Sequence, residues 1–295
     1  MLELRHVLCP IDFSEFSVRA YRYALSVAEH HRAKLVAQHI VELWQYPSVS
    51  FAASAAAYEE FSQALREKAE QQLRELVKSY AHDETQPECV VQQGIAADAI
   101  LAFAEEQKTD LIVMGTHGRR GFDHLMLGSV TERVLRRGSR PVLAISRLSH
   151  DVSTSGKQRD QVHLSRILFC TDFSENSERA LNYAISLTAD YDAELTLLHV
   201  LEHVPSSANL EDATAAATEQ LDRLIPAEGR QAGKIRTTVL IGEPYRQIIQ
   251  FARETQADLV TMAVRGRGAL DLAVFGSTTY RVLQLGPCPV LAVHV

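Results

Sequence analysis

The residues best suited to chemistry lie between 115 and 129, directly after the apolar run Asp-Leu-Ile-Val-Met at 110–114. Gly115, Gly118 and Gly128 allow tight turns of the backbone, and a helical pattern begins at Ser129. A strand, a glycine loop and a helix N-terminus in this order expose backbone N–H groups and about half a positive charge. Such an arrangement attracts phosphate, so we expect a phosphate-bearing ligand here.

Each residue of this loop has an expected task. Gly115 would leave the strand end clear, Gly118 would supply a positive φ or a close approach of backbone to phosphate, and Gly128 would free the helix N–H groups. Arg119 and Arg120 would add charge-assisted hydrogen bonds to terminal phosphates. Alternatively, the glycines only turn the chain and Ser129 only caps the helix. The complete spacing favours a mononucleotide, because neither a P-loop nor a dinucleotide fingerprint is present.

Asp12 is the next candidate, at the end of the first apolar run and before Phe13-Ser14-Glu15. Its carboxylate would contact the nucleoside end of a ligand, or it would bond the amides of the following turn, as Asp commonly does. Its position in the sequence leaves both interpretations open. Ser14, and Ser174 in the second half, stand where a helix N-cap is expected.

Candidates for catalysis are few. His117, Asp123 and His124 lie in the glycine loop, but none has a companion at a recognisable catalytic spacing. We therefore predict no catalytic residue. No carboxylate cluster for a dedicated metal is visible in the sequence, so any Mg2+ would arrive with the phosphates.

The second half of the chain repeats the first. His6-Val-Leu-Cys-Pro-Ile-Asp-Phe-Ser-Glu recurs as Arg166-Ile-Leu-Phe-Cys-Thr-Asp-Phe-Ser-Glu, and Pro141-Val-Leu-Ala recurs as Pro289-Val-Leu-Ala. A period near half the chain indicates two domains of ordinary size. We predict a first domain over 1–147, a polar linker over 148–163 and a second domain over 164–295. The Ala- and Ser-rich insert at 44–58 has no obvious counterpart.

Periodicity predicts alternating strands and helices. In the first copy, apolar runs at 6–10, 34–41, 88–93, 110–114 and 141–146 are typical of strands buried on both faces. Helical stripes lie between them, one of which contains Ala20, Ala24 and Ala28, and further helices are expected at 97–107 and 129–137. Strands that alternate with helices are joined by crossover connections, so we expect an α/β fold with a parallel sheet covered by helices on both sides. In such sheets ligands bind beyond the carboxyl ends of the strands.

Composition narrows the class of protein. The formal net charge is −7 with both signs dispersed, so a nucleic-acid partner is not expected. No apolar run approaches a membrane span, and the start shows no signal-peptide pattern. Cys9, Cys89, Cys170 and Cys288 fall on or beside predicted strands without metal-ligand spacing. They are interpreted as buried apolar residues in a reducing cytoplasm.

Together, the glycine signature at 115–129, Asp12 and Asp172 after the first strands, and the closing strands at Pro141 and Pro289 resemble the universal stress protein family in its tandem form. The resemblance implies two Rossmann-like domains of the adenine nucleotide alpha hydrolase-like type, each with five parallel strands in the order 3-2-1-4-5 and helices on both faces. It also implies ATP between strands one and four, pairing of the two copies through their last strands as an internal pseudo-dimer, and further association into a homodimer.

The resemblance also implies the contacts in each domain, carried over by position. In the first domain, the adenosine side would be lined by Pro10, Ile11, Asp12 and Ile40, and the ribose and phosphates would be held by Met114, Gly115, Gly118, Arg119, Gly128, Ser129 and Val130. The second-domain residues would be Thr171, Asp172, Met262, Ala263, Gly266, Arg267, Gly276, Ser277 and Thr278.

The second copy departs from the signature because Ala263 replaces its first glycine. A methyl group there costs roughly 1–3 kcal/mol if the position requires a positive φ or direct ligand contact, and it is harmless if φ is negative and the methyl group points aside. We therefore expect an occupied first site and a weaker second one.

Four functions are compatible with these residues. The favoured one is a nucleotide-dependent stress-response or regulatory protein with a protein partner. The others are a slow ATPase or self-phosphorylating protein, an interaction module without nucleotide, and another adenine-nucleotide or flavin-binding relative of the same sheet type. The sequence does not distinguish AMP, ADP and ATP.

Overall fold

The computed structural model describes residues 3–45, 55–80, 86–118, 126–149, 162–202, 209–226, 233–265 and 276–294. Its strands form one ten-stranded sheet in the order β3-β2-β1-β4-β5-β10-β9-β6-β7-β8. The first half contributes β1 (His6–Pro10), β2 (Lys34–Val41), β3 (Glu88–Gln93), β4 (Leu111–Gly115) and β5 (Val142–Ile145), and the second β6 (Arg166–Cys170), β7 (Glu194–Leu201), β8 (Ile235–Ile241), β9 (Leu259–Ala263) and β10 (Val290–Val293). Each half therefore has the predicted strand order 3-2-1-4-5.

Helices connect consecutive parallel strands. The described helices are α1 (Glu15–His31), α2 (Ala55–Tyr80), α3 (Ala96–Glu106), α4 (Ser129–Arg137), α5 (Glu175–Asp190), α6 (Leu210–Leu224), α7 (Pro244–Glu254) and α8 (Ser277–Leu285), with a short 3-10 turn at Leu43–Gln45. The apolar stripe predicted on the first helix is buried, because Ala20, Ala24 and Ala28 are all at most 1% exposed.

Two apolar layers cover the two faces of the sheet. In one layer α1, α2 and α6 cover the sheet, and their buried side chains include Tyr21, Leu73 and Leu221. In the other layer α3 and α8 cover the opposite face, with Ile100 and Val282 buried. Each layer includes residues of both halves, so the core continues across the domain boundary. Burial of this apolar surface is the main stabilising contribution to the fold.

The prediction that every strand of the first copy is buried on both faces is wrong for β3. All residues of β4 and β5 are buried, whereas in β3 only Val91 is. The reason is topological, since β3 is an edge strand with a single neighbour, β2. Edge position is not visible in a run of apolar residues.

The two halves meet through their last strands. β10 pairs antiparallel with β5, and Leu143 faces Leu291 at the middle of the register, whereas the neighbouring pairs are parallel. Ser146 Oγ adds a hydrogen bond of 3.1 Å to the Gly286 carbonyl across the boundary. On the opposite side of the sheet, the His30 ring stacks on Tyr191 with 4.1 Å between centroids. The internal pseudo-dimer implied by the resemblance is confirmed by this pairing.

Much of the predicted linker and insert lies outside the described residues, at 150–161 and 46–54. At the end of the linker, Val162 N donates to Ser26 Oγ at 2.7 Å. The last part of the insert is helical, because α2 begins at Ala55. None of the described helices is both long and apolar enough to cross a bilayer.

The cysteines follow the prediction of burial with one exception. Cys9, Cys170 and Cys288 are buried, whereas Cys89 on the edge strand is half-buried. Burial raises the pKa of the Cys288 thiol to about 12, which keeps it protonated at neutral pH. A protonated thiol is a weak nucleophile, as expected of a core residue.

Candidate functional site

The loop after β1 is a turn organised by Asp12. Its Oδ1 accepts hydrogen bonds from Ser14 N at 3.0 Å and Ser14 Oγ at 2.6 Å. Phe13 has a left-handed φ of 64°. Ser14 Oγ in turn accepts from Ser17 N at 3.2 Å and so caps α1. The local interpretation of Asp12 is therefore confirmed: it shapes the turn that begins the helix.

The second half builds the same turn. Asp172 Oδ1 accepts from Ser174 N at 3.1 Å and Ser174 Oγ at 2.6 Å, and Phe173 has a φ of 58°. Ser174 caps α5 through Ser177 N. The Asp turn and the serine-capped helix after the first strand are thus present in both domains.

The glycines of the first signature are required by close approaches. A Cβ on Gly115 would lie 3.0 Å from the backbone of Phe16 in α1, and a Cβ on Gly118 would lie 2.8 Å from Asp12 Oδ2. Neither residue has a positive φ, so that suggested role for Gly118 is wrong. These two glycines instead bring the end of β4 against the start of α1 and against the Asp12 turn.

Helix α4 begins without a side-chain cap. Its N-cap is Gly128, whose N–H donates to the Thr116 carbonyl at 2.7 Å, and no side chain of the described residues accepts from the first-turn amides. Ser129 is exposed and Val130 is half-buried beside these amides. Thr131 Oγ1 donates to the Gly115 carbonyl at 2.8 Å and so anchors the helix to the strand end. The start of α4 differs in this respect from the capped start of α1.

The structure brings most of the predicted first-domain residues to one edge of the sheet. Pro10 ends β1, Met114 and Gly115 end β4, and Gly118 contacts the Asp12 turn. Ile40 lies one residue before the end of the neighbouring strand β2 and is half-buried. Ile11 N donates to the Gln38 carbonyl of β2 at 2.7 Å, which ties this loop to that strand. Arg119, Arg120, Asp123 and His124 lie outside the described residues.

The predicted second-domain residues have an equivalent arrangement. Thr171, Asp172, Met262 and Ala263 lie at the ends of β6 and β9, and Gly276, Ser277 and Thr278 begin α8, whereas Gly266 and Arg267 are outside the described residues. Ala263 is buried and does not have a positive φ, so the backbone strain that a positive φ would impose there does not apply. Gly276 also leaves its helix without a side-chain cap.

Sequence reasoning missed two histidines beneath these turns. His39 Nδ1 lies 2.6 Å from the Ile11 carbonyl, and its ring packs against Phe13 with 4.5 Å between centroids. His199 repeats both contacts, at 2.8 Å from the Thr171 carbonyl and 4.3 Å from the Phe173 ring. The repeat itself carries the missing signal, because both copies place a histidine at the same point of the second strand.

A buried amide pair distinguishes the first domain. Gln38 is fully buried, and its Nε2 donates to Gln92 Oε1 at 2.7 Å, whereas its own Oε1 is without a partner. Leu198 and Leu240 occupy the equivalent positions of the second domain. A buried acceptor without a hydrogen bond is costly, so this pair marks a real difference between the two halves.

The loop side chains also differ between the halves. In the first domain the rings of Phe16 and His117 pack at 5.4 Å, and Thr116 Oγ1 is 2.9 Å from His117 Nδ1. The second domain has Asn176, Arg265 and Val264 at these positions. Over the described residues, no group of three or more His, Cys, Asp or Glu side chains is arranged to hold a metal ion.

Taken together, these elements define a doubly wound α/β protein with two domains in tandem. The model of the universal stress protein family matches residues 3–146 and 163–294, and the chain belongs to that family.

Some relatives cover about half of the chain and others nearly all of it. A universal stress protein of Methanocaldococcus jannaschii is 32% identical over 48% of this chain and 82% of its own length. One from Mycolicibacterium smegmatis is 25% identical over 98% of this chain and 96% of its own length. The crystal structure of a universal stress protein from Archaeoglobus fulgidus is 25% identical, covers 98% of this chain and 95% of its own, and has a TM-score of 0.66.

Proposed function

We propose that the first domain binds an adenine mononucleotide, ATP, across the carboxyl ends of β1 and β4, and that the protein acts as a nucleotide-dependent regulator in the stress response. The observation that carries the proposal is the contrast between the two neighbouring helix starts. Ser14 caps α1, whereas the first-turn amides of α4, which begins at the N-cap Gly128, have no side-chain partner among the described residues. Uncapped amides at a helix N-terminus favour an anion.

The residues present suit a nucleotide of this kind. Gly118 has no side chain to separate the loop from the Asp12 turn, and Ser129 is exposed beside the open amides. In the proposed site, Pro10, Ile11, Asp12 and Ile40 line the adenosine, and Met114, Gly115, Gly118, Arg119, Gly128, Ser129 and Val130 hold the ribose and phosphates. Any Mg2+ would be bound through the phosphates.

The second domain is proposed as the weaker site. It keeps the Asp172 turn and the uncapped start of α8, which are the backbone parts of the arrangement. It lacks the amide pair of Gln38 and Gln92 and the aromatic pair of Phe16 and His117. The side chains around the loops therefore differ even though both helices begin at a glycine without a side-chain cap.

The test is a calorimetric titration of the whole chain with ATP and Mg2+. We expect one tight site, lost in Gly118→Val because the new side chain would collide with Asp12, and retained in the matched variant Gly266→Val. At about 100 times its dissociation constant, ATP should stabilise the wild-type protein by about 2.7 kcal/mol. Melting of each variant without nucleotide checks that it folds.

Three results would redirect the proposal. No binding at millimolar ATP by a folded wild-type protein would favour an interaction module without nucleotide. Equal affinities in the two domains would contradict the asymmetry. Steady phosphate release that disappears in Gly118→Val would identify a slow ATPase. Homodimer formation, a regulatory protein partner and a cytoplasmic location remain predictions.

A further inference from the structure

A cleft of about 230 Å3 lies at the junction of the two domains, next to the ends of β9 and β10. We call it the junction cleft; its walls include Ser139 of the first domain and Asn176, Val264, Arg265, Val293 and His294 of the second. None of these residues is among the proposed nucleotide contacts. Its volume is slightly below that of sites for drug-sized molecules, so it suits a small metabolite.

Two polar side chains of the junction cleft have unused hydrogen-bonding capacity. Arg265 makes one long hydrogen bond, 3.5 Å from its Nη2 to the Arg136 carbonyl, and over the described ranges no carboxylate lies within ion-pair distance of it. The Asn176 amide has no hydrogen-bond partner within the same part of the chain. A guanidinium offers five donors in a planar fork, and that geometry matches a carboxylate or phosphate.

The other charges around the junction cleft are already compensated. Glu105 accepts from Ser139 Oγ but is paired with Arg140 at 3.0 Å, and Arg140 and Ser139 hold the pKa of this carboxyl below its usual value. The ring nitrogens of His294 lie 2.7 Å from the carbonyls of Arg140 and Leu135. Burial, with a further contribution from Arg265, lowers the pKa of His294. Among the described residues that line the cleft, Arg265 therefore carries the positive charge available to a ligand at neutral pH.

The equivalent position in the first domain supplies a natural comparison. Phe16 replaces Asn176 and His117 replaces Arg265, and their two rings pack together at 5.4 Å. In the second domain, an amide and a guanidinium line the cleft beside Val264 and Val293, which are themselves buried. An aromatic contact in one half thus corresponds to a polar-rimmed cavity in the other.

We propose that the junction cleft binds a small organic oxyanion, with the carboxylate or phosphate on Arg265 and Asn176 and the rest of the molecule in the cleft between the two domains. The oxyanion has two sources: a free metabolite, or the terminal phosphates of a nucleotide in the second domain, since Arg265 directly precedes Gly266. Charge-assisted, bidentate hydrogen bonds to arginine are among the stronger ones in proteins, so the guanidinium is the main determinant of affinity.

The experiment is a calorimetric titration with benzoate, with inorganic phosphate and with benzyl alcohol as the neutral counterpart of benzoate. The wild-type protein binds both anions and not the alcohol. Arg265→Gln weakens anion binding about tenfold or more, and Asn176→Phe, which copies the first domain, fills the cleft and weakens it similarly. The control Arg253→Gln removes an exposed arginine of α7 and leaves binding unchanged. Melting without ligand checks the fold of each variant.

Saturating ATP then separates the two sources. If ATP competes with benzoate, and Arg265→Gln also loses ATP binding in the second domain, the cleft binds nucleotide phosphates. If saturating ATP leaves benzoate binding unchanged, the cleft binds a free metabolite. The proposal is overturned if folded wild-type protein binds neither anion at about 10 mM, where binding is weaker than about 3 kcal/mol, or if Arg265→Gln binds them as the wild type does. Failure of ATP binding in the first domain would leave this result intact.

Discussion

The strand ends of the two domains share a backbone arrangement but carry different side chains. Both have an Asp turn with a left-handed Phe, a serine-capped first helix and a glycine at the start of an uncapped helix. Around this frame, Phe16 and His117 correspond to Asn176 and Arg265, and Gln38 corresponds to Leu198. The comparison indicates that the uncapped helix starts belong to the backbone shared by both domains, whereas the side chains around them are particular to each domain.

The largest expected effect tests whether the two halves unfold together. Leu73 of α2 and Leu221 of α6 are both fully buried in the same apolar layer. Leu73→Ala and Leu221→Ala should each reduce the free energy of unfolding by about 2–5 kcal/mol. Because β5 pairs with β10 and the core is continuous, we expect each variant to lower one common transition in calorimetry. A second, unshifted transition in either variant would show that the domains are independent.

Much of the fold was predictable because its signals are local. The strands of the first copy were expected within one residue of their observed ends, since short apolar runs bounded by turns are distinct in an alternating α/β chain. The order of strands and the pairing of β5 with β10 followed from the family resemblance. The exposed character of β3 was not predicted, because it depends on which strands have two neighbours.

The site was predictable only in part. The glycines of the signature lie beside the strand end where the sequence placed them, but Gly118 lies close to Asp12 and does not have a positive φ. The histidines His39 and His199 were missed because each acts on a loop 28 residues earlier in the chain. The junction cleft needs residues from both domains, and no local pattern indicates such a site.

Exchanging glycine and alanine at the first position of the signature, Gly115 and Ala263, tests how the two domains differ at this strand end. Gly115→Ala would place a methyl 3.0 Å from the backbone of Phe16, and helix backbone does not yield cheaply, so we expect a loss of about 1–3 kcal/mol in the free energy of unfolding. The reverse change, Ala263→Gly, removes a buried methyl and adds chain freedom, at a cost of about 1 kcal/mol. Chemical denaturation measures both. If Gly115→Ala left the free energy of unfolding unchanged, the start of α1 would have to move aside to accept the methyl group.

The helix caps should behave alike in the two domains. Ser14→Ala and Ser174→Ala each remove the hydroxyl that accepts from the helix amide and donates to the Asp carboxylate. We expect each to cost about 1 kcal/mol, as typical of N-caps. Denaturation curves of the two variants, with Ser129→Ala as the uncapped control, test the contrast. A comparable loss in Ser129→Ala would contradict the assignment of α4 as uncapped.

The smallest effect concerns pH at the two ends of the domain junction. His31 lies at the end of α1 near Asp190, and its Nε2 is buried without a partner; His294 lies in the junction cleft. Burial lowers the pKa of both side chains, with His30 adding to the effect at His31. The unfolded chain therefore binds protons more readily. The pKa difference leaves stability unaffected above the unfolded pKa of about 6.5 and lowers it progressively as the pH falls from that value through the lower pKa of the folded state.

Unfolding free energies between about pH 7.5 and pH 5.5 check this sign, since the window lies above the range in which most carboxylates titrate. The wild-type protein should lose stability on acidification, and His31→Gln or His294→Gln should reduce the slope, by less than about 1 kcal/mol over the window. His163→Gln, at an exposed histidine, serves as the control. An unchanged slope in both junction variants would mean that protonation is accommodated without loosening the contact between the domains.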